Sequence, residues 1–197
     1  IDRPVYDRSR VTASIVHLGL GAFHRAHQAL MTEAVLNAGD LAWGIVGAGM
    51  QSSGMRDALA PQDGLYTVLS RGVADDGSKV SEARVVGSVL KEIGAHQHWT
   101  EVLALARDPE ITVVISNTTD AGIAYVPTVK YEDAPQASFP GKMTRLLHER
   151  WTAFGGKPDA GWQMIACELI DHNGDELRRI VLRHAEEWGL EPAFIAW

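Results

Sequence analysis

The chain has 197 residues, 46% of them hydrophobic and 22% charged, with a formal net charge of −7. These proportions supply a core and exclude a disordered polymer, while the acidic balance argues against a nucleic-acid binder. No apolar run approaches the roughly 20 residues of a membrane span, a single cysteine, Cys167, leaves no internal disulfide framework, and the opening IDRPVYDRSR lacks the apolar stretch of a signal peptide, so a cytoplasmic protein with no membrane or nucleic-acid partner is expected.

Four short apolar runs rich in Val and Ile read as strands buried on both faces: Ser14–Gly19, Trp43–Ala48, Ile111–Ser116 and Trp162–Cys167. Helical stretches separate them. His24–Asn37 ends before Gly39, and His98–Arg107 ends before Pro109. Lys142–Phe154 carries Met143, Leu146, Leu147 and Trp151 on one stripe and stops at Gly155-Gly156; Asp175–Trp188 is patterned similarly and stops at Gly189. Such alternation predicts an α/β, doubly wound, mostly parallel Rossmann-like sheet. Leu65–Arg71 and Val80–Val89, joined by Asp75-Asp76-Gly77-Ser78, break the alternation and predict an inserted antiparallel hairpin. Residues 124–141 hold three prolines and no period, which predicts a long loop near the carboxyl ends of the strands.

The first strand runs into Gly19-Leu20-Gly21-Ala22-Phe23-His24-Arg25. A strand feeding a helix through Gly-x-Gly is the dinucleotide-binding arrangement. The first glycine permits the turn, and the second lets backbone approach a pyrophosphate seated on the helix N-terminus. Ala22, Phe23, His24 and Arg25 are therefore candidate cofactor contacts with Gly19 and Gly21. The usual third glycine is replaced by His24, so the bare pattern also suits a tight turn without a ligand. Arg25 at a helix start opposes the helix dipole, and an anion there would remove the penalty. The pairs His24/His27 and His96/His98 have no accompanying cysteine or carboxylate cluster, so no metal site is assigned.

The run IVHLGLGAFHRAHQAL resembles the N-terminal signature of the polyol-specific long-chain dehydrogenases, the mannitol dehydrogenase family. Met55-Arg56-Asp57-Ala58-Leu59 and Gln62-Asp63-Gly64-Leu65-Tyr66-Thr67 look like the same family. Ser116-Asn117-Thr118-Thr119-Asp120-Ala121-Gly122-Ile123, FPGKMTRLLHERW and CELIDHNGDELRRIVLRHAEEWGLEPAFIAW resemble its tagaturonate reductase (altronate oxidoreductase) branch. Mannitol dehydrogenases and fructuronate reductases usually carry Cys-Asp-Asn-Leu-Pro at the last stretch. The resemblance implies an NAD(P)-binding Rossmann-like domain over 1–197 and a helical catalytic domain beyond it. It also implies metal-independent hydride transfer between NAD and a sugar-acid ketose or polyol. The family's Lys-x4-Asn-x2-His motif is not in this chain, whose lysines are 79, 91, 130, 142 and 157. The chain alone is thus expected to bind cofactor without catalysing, its partners being a small sugar acid or polyol and the rest of the same enzyme. A non-catalytic nucleotide-binding module is the competing reading.

Asn117, Thr118 and Thr119 follow a buried strand, and the edge position together with the resemblance places them at the nicotinamide ribose; turn chemistry is the plain alternative. Asp120 aligns with a family glutamate. The resemblance implies an asparagine near Asn173 that steadies the developing alkoxide, yet Asn173 with Glu176 also forms the pattern of a capping box, and relatives place an asparagine where this chain has Leu169. Cys167 reads as a small buried residue, Glu168 as a ligand candidate at the sheet edge, and His184 as a packed histidine. Residues 41–56 contain no Asp or Glu to bind the ribose 2′-hydroxyl of NAD, and Ser52, Ser53 and Arg56 suit a 2′-phosphate. The resemblance implies NAD; NADP stays open.

Overall fold

The computed structural model describes residues 1–50, 54–118 and 122–197. Its centre is a five-stranded sheet in the order β5-β2-β1-β6-β7, every pairing parallel. The strands are β1 (Ala13–Leu18), β2 (Gly44–Gly49), β5 (Val89–Gly94), β6 (Val113–Ser116) and β7 (Gln163–Ala166). β1 is central, and five of its six residues are buried. Burial on both faces explains its mostly apolar sequence, since neither side of the pleat meets water, and Ser14 and His17 are buried within it.

The two faces are packed by different elements. Val16 and Leu18 of β1, Val46 of β2 and Val114 of β6 meet α3 (Trp99–Leu105), α4 (Phe139–Ala153) and α5 (Asn173–Glu187) through Val102, Met143, Leu146 and Ile180. Ile15, Ile45 and Val113 meet α1 (Ala29–Asn37) and the hairpin through Ala29, Val86 and Val68. The alternation of Ile15 and Val16 between faces is the period-two pleat.

The hairpin forms from β3 (Tyr66–Val73) and β4 (Lys79–Val86), antiparallel throughout. Val89 does not belong to it. The chain leaves β4 at Val86 and starts the parallel strand β5 at Val89, a strand that the apolar pattern does not reveal. β5 is a sheet edge, so Lys91 and Glu92 interrupt its apolar sequence, and Lys91 pairs with Glu101 of α3 at 3.0 Å. The stretch expected as loop to residue 141 is also shorter. Phe139-Pro140-Gly141 already open α4, with the Ser138 side chain accepting from the Gly141 N–H at 3.1 Å and proline in the first turn, where its missing donor is harmless. The loop packs outward on α5, with Trp188 Nε1 donating to the Val129 carbonyl at 3.1 Å. Short α2 (Gly54–Leu59) follows β2, and α6 (Pro192–Ala196) ends the described chain. No helix is long and apolar enough to cross a membrane among the described residues.

Candidate functional site

At the end of β1 the chain turns through Gly19 with φ +111°, and a Cβ there would lie 2.8 Å from the Asn117 carbonyl oxygen. Gly19 N donates to the Ala48 carbonyl at 2.8 Å, and Asn117 N to the Leu18 carbonyl at 3.2 Å. The turn is thus locked between β2 and β6, with no room for a side chain. Gly21 is different: no neighbouring protein atom lies within 4 Å of its Cβ position. It borders a cleft of about 570 Å³ at the carboxyl ends of β1, β2 and β6. Gly19, Leu20, Gly21, Ala22 and Arg25 form one wall, Gly49, Met50, Gly54 and Met55 a second, and Asn117 and Thr118 a third.

The helix N-terminus supplies backbone N–H groups with no intrahelical partner, a favourable place for an anion. Arg25 is the one charged side chain among the described lining residues. Its Nη1 donates to the Leu20 carbonyl at 2.8 Å, and its own carbonyl accepts from the Tyr66 hydroxyl at 2.8 Å. The hairpin therefore braces the turn from below. The open Gly21 position, the helix start and Arg25 fit a pyrophosphate, and the third wall leaves Asn117 and Thr118 for the far end of a dinucleotide.

The other residues expected at the cofactor are placed as follows. Phe23 is exposed and stacks on His27, ring centres 5.1 Å apart, beside the cleft rather than in it. His24 is 1% exposed, turned beneath the helix against His17 of β1 at 3.9 Å. Expected at the cofactor, it occupies the third-glycine position, where helix and strand pack closely, and here its side chain goes into that interface. The helix opens with a π turn, His24–Gln28, wider than an α turn, where this imidazole is accommodated. Neither ring nitrogen of His24 has a partner among the described residues. Desolvation, with His17 and Arg25 adding, pushes its pKa down to about 2, so it is neutral. Thr119, Asp120, Ser52 and Ser53 lie outside the described residues. Arg56 does not line the cleft; its Nε sits 3.2 Å from Asp57 Oδ1.

Asn173, expected near the reacting oxygen, is bonded to backbone in this structure. Its Nδ2 donates to the carbonyls of Ala166 and Glu168 at 2.9 and 3.0 Å, and its Oδ1 accepts from Gly174 N at 2.7 Å. Both amide hydrogens are engaged by backbone, so no donor is left for a reacting oxygen. The capping box is absent as well. His172 holds the N-cap position, and the Glu176 carboxylate pairs with Arg179.

Behind the third wall lies a polar cluster. Glu168, 4% exposed, accepts the Thr118 N–H and hydroxyl at 3.0 Å each on one oxygen and the Ser116 hydroxyl at 3.1 Å on the other. Asn117 Nδ2 donates to the Cys167 carbonyl at 2.9 Å. Gln28 contacts His17 Nε2 and donates to Cys167 Sγ at 3.3 Å. Burial raises the Cys167 thiol pKa and lowers that of His17, which suits packing rather than nucleophilic roles. No group of three His, Cys, Asp or Glu able to hold a metal occurs among the described residues. Sequence reasoning missed Met50, Gly54 and Met55, although the residues after the strand beside β1 border the crevice in any doubly wound sheet.

A family model described as the mannitol dehydrogenase Rossmann domain matches residues 13–197. Altronate oxidoreductases of Escherichia coli O7:K1 (strain IAI39) and Escherichia coli O1:K1 are each 43% identical over 197 residues, 100% of this chain and 41% of theirs. Mannitol 2-dehydrogenase of Pseudomonas fluorescens, solved in a ternary complex with NAD and D-mannitol, superposes with a TM-score of 0.85 at 28% identity, covering 100% of this chain and 41% of that one. A substrate-free D-sorbitol dehydrogenase gives 0.79 at 28% identity, over 100% and 42%. This chain spans about two-fifths of the length of these relatives. Glycine turn, sheet order and matched sequence agree: the chain belongs to the mannitol dehydrogenase family, of which it carries the Rossmann domain.

Proposed function

We propose that the cleft beside Gly21 binds NAD and that residues 1–197 are the cofactor-binding domain of an NAD-dependent oxidoreductase of hexuronate or polyol metabolism. The observation that carries this reading is the second glycine. Its Cβ position is open on the protein side, beside a helix start and Arg25, which leaves the space a pyrophosphate needs. A bound nicotinamide ring supplies or accepts the hydride. This chain's own share is to seat the pyrophosphate on the Gly21–Arg25 turn and to hold the nicotinamide riboside against Asn117 and Thr118. The acid or base that moves the hydroxyl proton comes from the remainder of the protein, since the family's lysine motif is not in these residues.

The reaction favoured is reduction of a sugar-acid ketose to a secondary alcohol, of the tagaturonate or fructuronate reductase type. The 43% identity to altronate oxidoreductases supports it over the polyol reading of the 28% identical mannitol 2-dehydrogenase. Calorimetric titration of NADH and NADPH into this chain tests the cofactor half. Micromolar-range NADH binding, at least as tight as that of NADPH, is expected, and absence of dinucleotide binding refutes it. The substrate half is tested on the complete protein, by NADH oxidation with tagaturonate, fructuronate and fructose; turnover of fructose alone refutes the sugar-acid assignment.

A further inference from the structure

Five residues at the ends of β6 and β7, Ser116, Asn117, Thr118, Cys167 and Glu168, are tied together by hydrogen bonds. Glu168 takes three donations, two of them from Thr118. Asn117, which neighbours Thr118 on the cleft wall, is fixed to the Cys167 carbonyl immediately before Glu168. A buried carboxylate is costly to desolvate, and here three donors offset that cost. Both oxygens of its carboxyl group are used as acceptors. Glu168 is not among the residues lining the cleft, while Thr118 is. Its oxygen stands 3.0 Å behind the Thr118 hydroxyl and the Thr118 amide alike, so both the side chain and the backbone of that wall are set by one group.

We infer that Glu168 is a positioning residue for the nicotinamide half of the cofactor, acting through Thr118. Without it, the Thr118 N–H and hydroxyl and the Ser116 hydroxyl lose their shared acceptor, and the wall formed by Asn117 and Thr118 is no longer preset. The adenosine and pyrophosphate half is left to other elements, the Gly19–Arg25 turn and the end of β2, to which the Glu168 carboxyl group makes no hydrogen bond among the described residues. This rests on reading the cleft as a nicotinamide dinucleotide site, and it adds the division of labour between its two halves.

The test compares NADH with ADP, which keeps adenosine and pyrophosphate but lacks the nicotinamide riboside. Both are titrated into this chain and its Glu168→Ala and Glu168→Gln forms. Hydrogen bonds to a charged group carry about tenfold or more in affinity. Glu168→Ala is expected to weaken NADH about tenfold while ADP changes less than about twofold. Glu168→Gln keeps an oxygen for Thr118 and offers an N–H to the Ser116 hydroxyl, so it recovers part of the loss and sits about fivefold below the unmodified chain. Should the alanine form not fold, the glutamine form decides: an unchanged ratio of NADH to ADP affinity overturns the inference. Parallel loss of NADH and ADP in either variant also overturns it, since that is what a general structural role produces. If the unmodified chain binds neither ligand, the cleft reading itself has failed, a result distinct from both.

Discussion

The two glycines of the turn are predicted to respond oppositely to substitution. At Gly19, φ is +111° and a Cβ would lie 2.8 Å from the Asn117 carbonyl. Backbone strain of this kind costs about 1–3 kcal/mol, and the contact with a fixed backbone oxygen adds to it. For a domain of this length each kcal/mol shifts Tm by roughly 2–4 °C, so Gly19→Ala should lower Tm by roughly 2–12 °C. At Gly21 nothing lies within 4 Å of the Cβ position and φ lies outside the left-handed region. Gly21→Ala is therefore neutral to slightly stabilising, by up to about 1 kcal/mol through the unfolded chain. Gly21→Val should leave Tm within a few degrees but place methyl groups where the pyrophosphate must approach. Loss of that contact is expected to weaken NADH at least tenfold, about 1.4 kcal/mol. Thermal unfolding and calorimetric NADH titration of the variants check both halves. Equal NADH affinity in Gly21→Val and the unmodified chain would refute the cradle assignment, and an unchanged Tm in Gly19→Ala would refute the steric argument.

Three further outcomes follow from the same geometry. His24 is held neutral, its pKa pushed from 6.5 to about 2, so the unfolded chain takes up a proton that the folded chain refuses. Stability is complete above pH 6.5 and falls as the pH drops below it; between pH 7.5 and 5.5 the loss from this residue is about 1.4 kcal/mol, to be read from urea unfolding, and an undiminished pH slope in His24→Leu would contradict it. Asn173→Ala removes three hydrogen bonds around the end of β7 and the start of α5 and should cost about 1–3 kcal/mol in stability while changing NADH affinity less than about twofold; a binding loss without destabilisation would contradict this structural assignment. Arg56, paired with Asp57 away from the cleft, should on replacement by alanine change the NADH to NADPH affinity ratio less than about threefold, and a larger change in competition titrations would give it a 2′-phosphate role.

Much of this architecture was legible because burial leaves direct traces in composition. Strands with both faces covered, such as β1 and β6, appear as short, mostly apolar runs, and the hairpin betrays itself by its Asp-Asp-Gly-Ser turn. β5 was illegible for the same reason in reverse. As an edge strand it carries Lys91 and Glu92 and merges in sequence with the hairpin before it. At the site, Gly19 and Gly21 could be read because turn geometry and phosphate approach restrict side chains, whereas the burial of His24 could not. Whether a histidine beside a helix start faces a ligand or a strand depends on the helix's rotation, and the π turn that sets it has no sequence signature. Asn173 fitted both an amide donor and a capping box, and the structure gives a third arrangement, a clamp on the β7 carbonyls. Glu168 reads as a lone acid at a strand end, and its chief partner, Thr118, lies 50 residues away.

The central claim, that a nicotinamide dinucleotide occupies the cleft beside Gly21, is tested most directly by mapping NADH-induced shifts of backbone amide resonances in the isotopically labelled chain. The largest shifts are expected at Gly19–Arg25, at Gly49 and Met50, and at Asn117 and Thr118. A second cavity of about 510 Å³, lined by apolar side chains of α4, β7, α5 and α6 including Met143, Met164, Leu177 and Phe194, should be silent. Shifts concentrated around that second cavity, with the Gly19–Arg25 amides unmoved, would contradict the account.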